Sequence, residues 1–137
     1  MSLSFEQKYE LAKKAYDNAY TPYSKFNVGA VLVLKNGEVI TGSNIENASY
    51  GLTNCAERSA LFAAYSQGYR KEDIEEIIII ANPPKGLTSP CGACRQVISE
   101  LMQDDATVTL INLKKETQEY KVKDLLPFVF TSGDLDG

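Results

Sequence analysis

Three cysteines and one glutamate are the residues best suited to chemistry in this sequence. Cys91 and Cys94 form a Cys-x-x-Cys pair where a proline-rich loop gives way to a predicted helix, so both side chains fall on one face near free backbone N–H groups. Cys55 stands at the start of another predicted helix and precedes Ala56 and Glu57. Three thiolates from two helix N-termini leave one corner of a tetrahedron open, which is the pattern of a catalytic zinc site.

These residues also have simpler interpretations. A Cys-x-x-Cys pair alone also fits a dithiol redox couple, a lone cysteine is most often a small buried apolar side chain, and a lone glutamate on a helix is usually solvated. Their joint placement argues against the last two, because Cys-Ala-Glu followed by Pro-Cys-x-x-Cys is the signature of zinc-dependent deaminases in its all-cysteine form.

The sequence contains no histidine, which removes several classes of site. A Ser-His-Asp triad, a Cys-His pair and a histidine-ligated metal are all excluded. A structural zinc would need a fourth ligand, and a chain without histidine does not offer one. Proton transfer near neutral pH must therefore come from a carboxylate with a shifted pKa or from a metal-bound water.

The composition predicts one globular domain over residues 1–137, since 44% of the residues are hydrophobic and 23% are charged. The net charge of -4 comes without the basic stripe that a phosphate backbone requires, so no nucleic-acid partner is expected. We expect no membrane partner, because no apolar run approaches the roughly 20 residues of a spanning helix. The lack of a signal-like leader and the odd cysteine count favour the cytoplasm.

Periodicity and turn residues predict three helices and five strands. The helices are expected over 4–19, 56–67 and 91–102, with Ser4 capping the first, and the strands over 28–34, 38–42, 74–81, 107–113 and 118–122. Asn36-Gly37 predicts a hairpin between the first two strands, and the four isoleucines at 77–80 predict a central strand buried on both faces. The order α-β-β-α-β-α-β-β indicates an α/β fold, a three-layer α/β/α sandwich with a mixed five-stranded sheet.

Segments beyond the cysteine motifs also follow a known pattern, at 22–26, 28–30, 44–50, 54–58, 89–97 and 125–127, the last followed by a phenylalanine. Through these stretches the sequence resembles, over essentially its whole length, the small, homotetrameric, zinc-dependent cytidine deaminases. The Asn-Ile-Glu-Asn segment at 44–47 narrows the resemblance to deaminases that act on free nucleosides. The resemblance implies a homotetramer with shared active sites.

The resemblance implies a hydrolase of pyrimidine salvage that converts cytidine and deoxycytidine to uridine and deoxyuridine plus ammonia. One Zn2+ per chain would be held by Cys55, Cys91 and Cys94. A zinc-bound hydroxide would attack C4, while Glu57 accepts the water proton, passes it to ring N3 and then protonates the departing amine.

A set of substrate-binding residues follows from the same resemblance. Asn44 and Glu46 would hold the ribose hydroxyls, and Phe26 would pack against the nucleoside. The backbone at Ala56, with Glu57, would read the amide edge of the pyrimidine. The alternatives are that Phe26 is a core residue and that Asn44 and Glu46 serve only the turn that contains them.

A C-terminal phenylalanine and Arg58 are also predicted to contribute to the site. A terminal phenylalanine would reach into a neighbouring subunit's pocket, and we assign this role to Phe130, with Phe128 as the alternative. Arg58 follows Glu57, where its guanidinium would hydrogen-bond the thiolate sulfurs. Together with two helix N-termini it would offset the negative charge that three thiolates place around zinc. A surface ion pair on the helix is the alternative for Arg58.

Three other classes of protein are weighed against this one. A deaminase acting on tRNA or single-stranded DNA would need a basic groove, which the acidic composition does not supply. An antibiotic-nucleoside deaminase shares the Pro-Cys-Gly-x-Cys segment, and a non-enzymatic dithiol or structural zinc domain shares the cysteines. Zinc content together with the loss of cytidine absorbance separates all four.

Overall fold

The computed structural model describes residues 3–136 and has the three predicted helices and five predicted strands in the predicted order. A further short helix, which was not predicted, follows them near the C-terminus. The helices are α1 (Phe5–Asp17), α2 (Ala56–Ser66), α3 (Gly92–Leu101) and α4 (Ser132–Asp136). The strands are β1 (Val28–Leu34), β2 (Val39–Ser43), β3 (Ile74–Ala81), β4 (Thr107–Ile111) and β5 (Thr117–Lys121). No helix in the described part of the chain could cross a membrane.

Local hydrogen bonds explain where two of these elements begin and end. α1 begins at a capping box, in which Ser4 Oγ accepts from the Gln7 N–H at 3.2 Å and Gln7 Oε1 accepts from the Ser4 N–H at 2.8 Å. β4 ends two residues before the predicted boundary, because Asn112 Oδ1 accepts the N–H groups of Lys114 and Glu116 and turns the chain toward β5.

The five strands form one mixed sheet in the order β2-β1-β3-β4-β5. β1 is antiparallel to β2 and to β3, and β4 is antiparallel to β5. β3 and β4 are parallel, so a crossover must join them, and α3 lies within that crossover. The mixed five-stranded sheet predicted from the sequence is confirmed.

Helices cover both faces of the sheet, and β3 contributes to both of the cores. On one face α1 packs in a cluster with Ile78 and Ile80, and on the other α2 and α3 pack in a cluster with Ile77 and Ile79. All four isoleucines are buried. Successive side chains of a strand point to opposite faces, so a strand between two helical layers needs an uninterrupted apolar run. The three-layer α/β/α sandwich is confirmed.

Gly42 allows α2 to lie unusually close to the sheet. A Cβ at this position would be 2.5 Å from Ala60 N and 2.6 Å from Ala56 O, both in the backbone of α2. Gly29 makes the equivalent approach to α1 on the other face, where its Cβ would be 2.5 Å from Tyr16 N. The close approach at Gly42 determines the distance between the first turn of α2 and β2.

Candidate active site

The three cysteines converge where α2 and α3 begin. Cys55 is the N-cap of α2, Cys91 is the N-cap of α3, and Cys94 lies in the first turn of α3. Their Sγ atoms all lie within 4.8 Å of one another, and the Cys94 N–H donates to Cys91 Sγ at 3.5 Å. Both helix N-termini therefore place the positive ends of their dipoles beside the sulfurs.

This set of donors fits a tetrahedral zinc ion. Sulfur ligands about 2.3 Å from zinc lie about 3.8 Å from one another, a spacing that the cysteine cluster can adopt with little rearrangement. Cys94 is buried, Cys55 is partly buried and Cys91 is exposed, and all three are free thiols. Within residues 3–136 no further cysteine and no carboxylate joins the group as a fourth ligand. One corner of the tetrahedron is therefore left open, as in catalytic zinc sites.

Arg58 approaches the cysteines from the first turn of α2. Its Nη2 donates to Cys55 Sγ at 3.1 Å. A hydrogen bond from Cys94, followed by the contact with Arg58, lowers the pKa of the Cys55 thiol to about 5, and the same Cys94–Cys55 hydrogen bond raises the pKa of Cys94. Arg58 Nε is buried and has no hydrogen-bond partner within the described residues, so a free donor remains on this guanidinium.

Glu57 lies two residues after Cys55 and lines the same pocket as Cys55 and Cys91. Its side chain is buried, with 5% exposed. Desolvation by this burial raises the pKa of the carboxyl above its usual range. A buried carboxyl beside a metal-binding cluster is typical of a general acid–base group.

A pocket of about 170 Å³ opens beside the cysteines. Four of its lining residues, Val28, Ile79, Thr88 and Ser89, were not predicted as site residues. For Thr88 and Ser89 the available signal was their position immediately before Pro90 and Cys91. The pocket is lined by residues from β1, α2, β3 and two loops: Val28, Asn44, Cys55, Ala56, Glu57, Ile79, Thr88, Ser89 and Cys91.

Asn44 lines the pocket and also holds the start of β1. Its Oδ1 accepts from the Val28 N–H and its Nδ2 donates to Phe26 O, both at 2.9 Å. One amide hydrogen and one lone pair remain for a ligand, because a primary amide has two donors and two acceptor sites. The turn role and the ligand role left open by the sequence are therefore compatible.

Phe26 and Glu46 are not among the residues that line this pocket. Phe26 is half-buried, and the Glu46 carboxylate holds the preceding loop. Glu46 Oε1 accepts from the N–H groups of Tyr23 and Ser24 at 3.1 Å, and Oε2 accepts from the Ser24 hydroxyl. The Ser24 hydroxyl is the main cause of a lowered pKa for Glu46, so this carboxylate is ionised at neutral pH.

Phe128 and Phe130 both lie on the surface of the described chain. Phe128 is fully exposed and has a positive φ of 54°, and Phe130 is 56% exposed. Gln96 Nε2 donates to Phe130 O at 2.9 Å, so the backbone at Phe130 is attached to α3. Neither ring contributes to the pocket of its own chain.

A three-layer α/β/α domain with a cluster of three cysteines, two of which line one pocket with a buried carboxyl group, is typical of the zinc-dependent deaminases as a class. The family model for the cytidine and deoxycytidylate deaminase zinc-binding region matches residues 4–110. The chain belongs to this family of enzymes, and zinc is the metal that its cysteine cluster fits.

Individual relatives extend the similarity over most of the chain. The cytidine deaminase of Halalkalibacterium halodurans is 54% identical over 125 residues, which cover 91% of this chain and 92% of that protein. The cytidine deaminase of Sporosarcina psychrophila is 48% identical over 124 residues, 90% of this chain and 89% of that protein. The crystal structure of cytidine deaminase from Burkholderia pseudomallei has a TM-score of 0.89 at 45% identity and covers 93% of this chain and 100% of that chain.

Proposed function

We propose that this chain deaminates cytidine and deoxycytidine to uridine and deoxyuridine plus ammonia, in pyrimidine salvage in the cytoplasm. The observation that carries the proposal is the placement of the Glu57 carboxyl in one pocket with Cys55 and Cys91. The relatives named cytidine deaminase support the choice of substrate.

Cys55, Cys91 and Cys94 would hold the zinc, which when bound acidifies a water molecule and so supplies the nucleophile. Glu57 takes a proton from the attacking water and places it on ring N3 as the new C4–O bond forms. Glu57 then takes the proton of the C4 hydroxyl and gives it to the amine, so that the C4–N bond breaks and ammonia leaves. One carboxylate thus serves both proton transfers, and Glu57 is the only carboxylate among the described residues that line the pocket.

The remaining groups orient the nucleoside. Ala56 lines the pocket and is the first residue of α2, so its N–H has no acceptor within the helix and is free to read the pyrimidine. Asn44 and Glu46 would hold the ribose hydroxyls, and Phe26 would pack against the nucleoside. The spare amide hydrogen and lone pair of Asn44 and the ionised state of Glu46 support these assignments.

The assembly would be a homotetramer in which Phe130 enters a neighbouring subunit's pocket. Several large apolar side chains are exposed on the described part of the chain, and burial of such side chains between subunits favours association. They include Tyr50, Leu52, Phe128, Phe130 and Leu135.

An absorbance assay on cytidine, deoxycytidine, cytosine and adenosine, with the bound metal quantified, tests the proposed reaction. We expect turnover of the first two substrates and one zinc per chain. Zinc binding with no turnover of either nucleoside would instead support a structural zinc domain, or a deaminase that acts on nucleic acid or on an antibiotic nucleoside.

A further inference from the structure

Arg95 lies in the first turns of α3, and its guanidinium contacts two separate segments of the chain. Nε donates to Pro90 O at 2.8 Å and Nη2 donates to Ser89 Oγ at 2.9 Å, both in the loop that ends at Cys91. Nη1 donates to Leu125 O at 2.7 Å, in the C-terminal segment. The rigid, planar fork of arginine suits such divergent acceptors, which the single ammonium of lysine could not reach together.

The next residue of α3 makes a second attachment to the C-terminal segment. Gln96 Nε2 donates to Phe130 O at 2.9 Å. Two neighbouring side chains of α3 therefore hold main-chain carbonyls at Leu125 and Phe130. Only one of these side chains, Arg95, also holds the loop before Cys91.

The middle of that loop, which runs over residues 82–91, is anchored separately. Asn112 is buried, and its Nδ2 donates to Gly86 O at 3.1 Å. Thr88 and Ser89 lie between this anchor and Arg95, and both line the pocket. Loss of the Arg95 contacts would release the half of the loop that carries the pocket wall and leads into Cys91.

We infer that Arg95 is a positioning residue that fixes Cys91 and the pocket wall at Thr88–Ser89 in place relative to the C-terminal segment. The inference depends on the proposed function, since Cys91 matters only as a metal ligand and the pocket only as a nucleoside site. Every hydrogen bond of the Arg95 side chain in the described residues goes to this loop or to Leu125. Arg95 therefore acts on metal retention and substrate affinity, while Glu57 and α2 keep their positions.

Zinc transfer from the loaded protein to a chromogenic chelator, measured with KM and kcat in excess zinc, tests this inference. We expect Arg95→Gln to release zinc about 10- to 100-fold faster, which is the range by which loss of a residue that orients a metal ligand lowers metal affinity. KM should rise while kcat stays close to that of the parent protein. Arg95→Lys should resemble Arg95→Gln, because the contacts, and not the charge alone, hold the loop.

Arg70→Gln is the matched control. Arg70 Nη1 donates to Tyr65 O at 3.1 Å and to Tyr69 O at 2.7 Å, so this change also removes an arginine that caps carbonyls, but at the far end of α2. Its zinc release should match the parent. Gln96→Ala removes only the contact with the C-terminal segment. Its zinc release should be faster than that of the parent protein but slower than that of Arg95→Gln, and the comparison with the parent tests the coupling even if Arg95→Gln fails to fold.

The outcomes separate the two proposals. A parent protein that neither binds zinc nor deaminates cytidine refutes the proposed function. A parent that does both, with zinc release and KM unchanged in Arg95→Gln, overturns the role of Arg95 alone. Release from Gln96→Ala at the parent rate overturns the link to the C-terminal segment.

Discussion

Glu57 and Cys94 lie within one site but take different parts in the proposed chemistry, and their variants should separate those parts. Glu57→Gln preserves size and hydrogen bonding but removes the proton acceptor. We expect zinc to stay bound while kcat falls at least about 10²- to 10⁴-fold, the usual effect of losing a general acid–base group. Cys94→Ser is the contrasting variant and should lose both zinc and activity. Metal analysis beside steady-state kinetics distinguishes the two, and stoichiometric zinc with full turnover in Cys94→Ser would disprove the ligand assignment.

Glu46 has a structural contact that must be separated from its proposed contact with ribose. Glu46→Ala should raise KM for cytidine about 10- to 100-fold, because a hydrogen bond to a charged partner contributes roughly 1.5–3 kcal/mol. Ser24→Ala removes the hydroxyl that binds the same carboxylate but leaves the carboxylate present, so it is the control for loss of the loop contact. Equal increases in KM for the two variants would mean that Glu46 acts only on the loop.

Arg58 is the residue whose charge counters the thiolates. Its Nη2 contact with Cys55 supports a role in retaining the metal. Arg58→Gln should lower turnover and zinc affinity about 10- to 100-fold, as loss of an outer-shell donor usually does. Adding Cys55→His, which replaces an anionic ligand with a neutral one, should recover part of the loss. Zinc titrations and steady-state kinetics of the single and double variants test this expectation. A single variant that matched the parent in both would mean that Arg58 makes only surface contacts.

At the scale of the elements, the close contact between β2 and α2 is the feature on which the site depends. Gly42→Ala would place a methyl group within 2.6 Å of Ala56 O, so α2 must shift outward and carry Cys55 and Glu57 with it. Overpacking of this kind costs about 1–3 kcal/mol in unfolding free energy. We expect lower stability in denaturant titrations and a loss of kcat in the folded protein. Gly51→Ala is the matched control, since nothing lies within 4 Å of a Cβ there, and an equal effect of the two changes would refute this explanation.

At the scale of the whole molecule, the proposed homotetramer predicts active sites that are completed by a phenylalanine of a second chain. Size exclusion with light scattering should give about four times the 15.1 kDa mass of one chain. Mixing Phe130→Ala subunits with Glu57→Gln subunits, both of low activity, should restore part of the turnover, because some sites then combine an intact Glu57 with a neighbour's intact Phe130. The same mixing with Phe128→Ala identifies which ring is used. A fully active monomer, or no recovery in either mixture, would contradict shared sites.

Local sequence patterns were sufficient for the elements and for the class of chemistry. Helix caps, the hairpin turn and the run of isoleucines act over a few residues, so they can be recognised without knowing the fold. The same holds for Cys-Ala-Glu and Pro-Cys-x-x-Cys, whose spacing at two helix starts indicates a zinc site without knowledge of the fold.

The contacts between distant segments could not be obtained in this way. The bonds of Asn44 to Phe26 and Val28, and the attachment of the Cys91 loop to Leu125 by Arg95, depend on where the crossovers place β1, α3 and the C-terminal segment. That placement follows from packing summed over both faces of the sheet, to which residues throughout the chain contribute. Residue types and spacing therefore determined which groups could react, and the tertiary packing determined which groups hold them in place.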